Sequence, residues 1–138
     1  MGRRLDEDTL ATFHDSLDRV LQRSDFFDLF YDRLLASSPE IARKFDGVDL
    51  RRVKRHVRDS FYLKMMASDG NRGATARLEK LAEQHAAIHV TRAMHDQWTS
   101  VMLTLVEELD PGCDAEVAQS WREVLRIGTD IMKARAPA

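Results

Sequence analysis

Apolar residues recur along this chain at three- and four-residue intervals, in seven runs separated by short polar or turn-forming stretches. That period is the signature of helices with one buried face, and it predicts an all-α protein. Leu10, Phe13, Leu17, Val20 and Leu21 predict a helix over about 9–21. Ser24 or Asp25 then caps a second, with Phe27, Phe30, Tyr31, Leu34 and Leu35 as its stripe. Ser38-Pro39-Glu40 starts a short third helix, with serine as cap, proline at the first position and glutamate in the first turn, and it ends near Phe45-Asp46-Gly47.

A long helix over about 50–67 turns Val53, Val57, Ser60, Phe61 and Met65 inward. Its Arg51, Arg55 and Arg58 point away from that stripe, so they read as a solvated face rather than a nucleic-acid patch. Past Gly70 and Gly73 a fifth helix runs over about 76–88, and Thr91 caps a sixth that carries Trp98, Val101, Met102, Leu105 and Val106. Asp110-Pro111-Gly112 breaks it, and Asp114 caps the last, striped by Val117, Trp121, Val124, Leu125, Gly128, Ile131 and Met132. Gly128, alone among the glycines in sitting inside a helix, predicts a close helix crossing.

One position breaks the apolar logic. His85 sits on the inward face of the fifth helix, with Leu78, Leu81, Ala82 and Ile88 within about 60° of it at about 100° per residue. Two readings stand: a neutral core histidine bonded to the backbone, or a metal ligand. His89 shares its face at i+4, the spacing of a zinc pair, but Ala86-Ala87-Ile88 between them offer no general-base glutamate.

Composition narrows the classes. The 138 residues are 43% apolar and 32% charged with a net charge of -2, which predicts a single domain over 1–138 and excludes a general nucleic-acid binder. A lone Cys113 allows no intrachain disulfide, the first residues lack the apolar core of a signal peptide, and no run approaches a membrane span. These features predict a cytoplasmic protein that meets neither nucleic acid nor membrane. His14, His95 and Cys113 read as surface residues.

The segment Phe30 to Phe45 resembles the second and third helices of bacterial globins, above all the haem domain of flavohaemoglobins: Tyr31, Pro39 and Phe45 keep the spacings of eight and fourteen residues. His85 with Val90 five residues on, before a capped turn, is similar to the proximal-histidine segment, and 118–132 resembles the last globin helix. The resemblance covers about 8–133 and implies a three-over-three helical sandwich holding haem b, iron protoporphyrin IX, with His85 as proximal iron ligand. It implies Phe45 against the porphyrin face and Leu81, Ile88, Val90, Trp98 and Met102 as pocket walls, with Lys54, Lys80 and Arg92 as candidate propionate partners. Haem is a flat hydrophobe with two carboxylates, so an apolar slot, one imidazole and rim cations are what it requires.

On the distal side the resemblance implies the Tyr31 hydroxyl facing the iron-bound ligand and Val53 and Val57 over the iron, with no distal histidine or glutamine at that register. Truncated globins with a similar Lys54-Arg55-His56 segment use the matching histidine as a sixth ligand, so His56 is either a distal iron ligand or a rim residue near a propionate or solvent. Flavohaemoglobins also back the proximal histidine with a tyrosine and a glutamate, whose places here fall to His95 and Ala136.

The function implied is reversible binding of a diatomic gas: dioxygen, nitric oxide or carbon monoxide, hence oxygen binding or transport. Two alternatives stand beside it. One is nitric-oxide dioxygenase or peroxidase-like chemistry, drawing electrons from a separate reductase because no reductase domain follows; the other is a gas or redox sensory module. A homodimer through the last two helices is a further expectation.

Overall fold

The computed structural model describes residues 5–138, and those residues form seven helices. In chain order they are α1 (Glu7–Val20), α2 (Phe26–Ser37), α3 (Pro39–Lys44), α4 (Leu50–Ser68), α5 (Arg72–Ala87), α6 (Arg92–Leu109) and α7 (Ala115–Lys133). Short polar side chains set most of the starts by accepting from orphan N–H groups. Asp6 accepts from Thr9, Ser38 from Ile41, Thr91 from Met94 and Asp114 from Val117.

Two starts differ from expectation. Helix α5 begins at Arg72, ahead of the expected 76, because the Asn71 side chain accepts from Ala74 N at 2.9 Å and carries Gly73 into the first turn. Asp25 precedes α2 but makes no cap bond; its carboxylate is taken by Arg23 at 3.1 Å instead.

Helix α7 is the spine, packed against α1, α4, α5 and α6, while α2 lies on α3, α4 and α6. The result is α1, α4 and α5 layered over α2, α6 and α7, the expected three-over-three sandwich. Phe13, Phe26, Phe30, Phe61 and Trp121 are all fully buried, each worth about 1.5–3 kcal/mol of transfer free energy. The Trp121 ring stands edge-on to Phe13 at 4.7 Å, and its Nε1 donates to Ser16 at 2.9 Å. Ser16 donates onward to Asp110, which also receives Arg19, so one buried carboxylate ties α1 to the end of α6 and, through Trp121, to α7.

Gly128 meets α4 at the expected close crossing: a Cβ there would stand 2.5 Å from Cγ and 2.9 Å from Cα of Lys64. Among the described residues no helix is long and apolar enough to cross a membrane.

Candidate cofactor site

His85 occupies the last turn of α5, and its Nδ1 lies 2.8 Å from the Leu81 carbonyl oxygen. The carbonyl can only accept, so Nδ1 carries the proton and Nε2 keeps a free lone pair. That bond is the one the core-histidine reading requires, and the same bond orients a metal-ligating ring. The surroundings separate the two readings: the imidazole borders a mostly apolar cavity of about 120 Å³. Burial pushes its pKa below the ordinary imidazole value, and nearby Lys64 and His56 reinforce this against the opposing Leu81 bond, so the net effect favours the neutral ring.

The chain end of α5 explains His89. Ile88 closes the helix, the His85 carbonyl accepts from Val90 N at 3.0 Å, and His89 adopts a left-handed φ of 61°. His89 is therefore turned outward and exposed rather than stacked one helical turn beyond His85. Among the described residues no group of three or more His, Cys, Asp or Glu comes together, so that pair gains no third ligand.

Of the residues expected at the site, Phe45, Val90 and Trp98 line the cavity with His85, and so does Ile88, which is half-exposed at its mouth. Tyr31 is buried behind Phe45, edge-on at 5.8 Å. Val53, Val57 and Met102 are buried in the main core and do not line the cavity; Leu81 contributes its carbonyl and packs in a second cluster around Leu78 and Ala82. The cause is position along the helix. The cavity wall of α4 is Ser60 and Lys64, on the same face as Val53 and Val57, within about 60° at about 100° per residue, but one to three turns further along. His56 belongs to that stripe at i, i+4, i+8, but it is exposed and outside the lining.

The rim cations also differ. Lys54 pairs with Asp28 at 3.1 Å, and Lys80 and Arg92 are exposed away from the lining. Lys44 lines the cavity instead, its Nζ donating to the Ile88 carbonyl at 2.7 Å and joining α3 to the end of α5.

His95 corrects a surface assignment. It is buried, its ring centroid 6.0 Å from that of His85, and its Nε2 has no hydrogen-bond partner. Burial first, then neighbouring Lys64 and His85, pushes its pKa down to about 4. Lys64 is 2% exposed, lines the cavity and holds its Nζ 3.5 Å from the centroid of the Trp98 ring. Its sequence signal was a lysine on the inward stripe, four residues after Ser60 and three after Phe61.

With this geometry the comparisons with known proteins agree. The globin family pattern matches residues 28–131, and the chain belongs to that family. One solved structure, a Pseudomonas aeruginosa PAO1 protein described as structurally highly homologous to a human hemoglobin, is 29% identical. The match covers 94% of this chain and 99% of that one, with a TM-score of 0.84. No curated protein matches the chain.

Globin membership implies a haem cofactor, and the residues present fit one. His85 offers a single oriented imidazole nitrogen, Trp98, Val90 and Phe45 offer apolar walls, and Lys44 stands as a cation. At about 120 Å³ the cavity is small beside a porphyrin.

Proposed function

We propose that this globin holds haem b through His85 Nε2 and binds a diatomic gas, dioxygen, nitric oxide or carbon monoxide, reversibly. The observation that carries the reading is the His85–Leu81 bond at 2.8 Å beside an apolar cavity. A donor bond from Nδ1 fixes the tautomer, raises the basicity of Nε2 and stops the ring from rotating. Haem iron, when bound, supplies the coordination position that a gas occupies.

The chain's own groups set the environment. Phe45 and Trp98 wall the cleft with apolar surface, and Lys44, whose Nζ donates to the Ile88 carbonyl, is the cation that would face a haem propionate. Tyr31, buried against Phe45 and outside the cavity lining, is the hydroxyl proposed for the distal side; a hydrogen bond from it to a polarised ligand would be worth about 1–1.5 kcal/mol, roughly tenfold in affinity.

Titration of the purified chain with hemin tests this. Uptake saturating at one haem per chain, followed by a carbon-monoxide spectrum after dithionite reduction, is the expected result. Unsaturable uptake, or uptake whose spectrum is unchanged in His85→Ala, would overturn it.

A further inference from the structure

Lys64 is a buried cation without a counter-charge. It is 2% exposed, and among the described residues no carboxylate stands within ion-pair distance of it. Burial alone pushes its pKa down to about 7. Such a charge costs several kcal/mol unless it is lost or paired.

The stem has nowhere else to go. At Gly128 of α7 there is room for the Lys64 Cβ and Cγ that any added methyl would take, and the Trp98 ring lies under Nζ, so the amine stands at the cavity rather than out in solvent. A glycine at 128 is what lets a long side chain pass at that crossing, since any Cβ would stand 2.5 Å from the Lys64 Cγ.

Resting on the haem reading above, we infer that Lys64 Nζ is a second nitrogen ligand to haem iron, entering from the α4 wall while His85 enters from α5. The competing nitrogens are placed elsewhere. His95 stands on the His85 side, with ring centroids 6.0 Å apart, and His56 is exposed and outside the cavity lining. Lys64 is thus the nitrogen donor that α4 presents to the cavity. Ligation needs the amine to give up its proton to solvent, and no neighbouring carboxylate holds that proton in place. Once bound, the amine competes with added ligand, and a 10:1 internal occupancy lowers apparent affinity about tenfold.

The test compares ferric haem-loaded wild type with Lys64→Met, Lys64→Arg and His56→Ala by optical and electron paramagnetic resonance spectra, with near-infrared magnetic circular dichroism to identify the axial pair. Methionine keeps the volume and apolar packing, and circular dichroism verifies that each variant is helical. The expected result is a low-spin wild type with one imidazole and one amine ligand, low-spin His56→Ala, and high-spin Lys64→Arg. Lys64→Met is expected to lose the amine signature and bind added imidazole at least about tenfold more tightly. A high-spin wild type that has taken up haem overturns the Lys64 ligand while leaving haem binding intact. A bis-imidazole signature lost in His56→Ala assigns the position to His56 and also overturns it. Failure to take up haem at all overturns the haem reading and this ligand with it.

Discussion

Gly128 of α7 and Lys64 of α4 meet backbone to side chain, so close that a methyl group at 128 would lie 2.5 Å from Cγ and 2.8 Å from Cβ of the lysine. Gly128→Ala therefore forces the two helices apart. An overpacking cost of about 1–3 kcal/mol is expected, read as a lowered urea midpoint at unchanged m-value. The paired variant Gly128→Ala/Lys64→Ala removes the clashing Cγ and recovers part of the loss.

Asp110 is the buried end of a network in which Ser16 donates at 2.6 Å and Arg19 at 2.6 and 3.0 Å. Burial works against its charge, but the bonds from Arg19, Ser16 and Gly112 outweigh it and leave the carboxyl below the usual range. Asp110→Ala strands Ser16 and the Trp121 indole chain behind it. A loss of about 3 kcal/mol is expected, the low end for a broken buried pair because Arg19 reaches solvent. Chemical denaturation measures it, and a change under about 0.5 kcal/mol would show that the network is ornamental.

The haem-free protein should gain stability as pH rises above 7. Lys64 has a folded-state pKa of about 7 against 10.5 for an ordinary lysine, so the unfolded chain holds the extra proton between those values. A lowered lysine pKa means stability is fully present above the unfolded value and is lost as pH falls toward the folded one. The slope is at most about 1.4 kcal/mol per pH unit. Urea midpoints of wild type and Lys64→Met, taken between pH 7.5 and 9.5, isolate this contribution: their difference should change with pH, and parallel curves would refute it.

Helical period made most of this fold legible. Most stripe positions from Phe13 to Met132 face inward as their spacing requires, though Ile88 is half-exposed and α2 buries Phe26 more deeply than the expected Phe27, and Ser38, Thr91 and Asp114 cap where their residue types predict. Asn71 escaped because its cap lies inside a loop-like run with two glycines, where a side-chain bond overrides propensity. At the site, His85 is legible as a polar group on an apolar face, and Lys64 carries the same mark on the inward face of α4. The level along α4 is not legible. Val53 and Ser60 lie within about 20° of each other around the helix axis but two turns apart, and only the packing of α4 against α7 and α5 decides which turn of that face borders the cavity. His95 also carried a signal in the period: it stands three residues before Trp98 and seven before Met102, on the inward face of α6, and it is buried beside exposed Asp96.

The central claim is that His85 Nε2 holds the cofactor. The most direct measurement is the reduced optical spectrum of haem-loaded His85→Gly with and without free imidazole, beside wild type. The account predicts weak or altered haem binding in the variant, restored toward the wild-type spectrum by imidazole filling the vacated volume. A variant spectrum identical to wild type before any imidazole is added would contradict it.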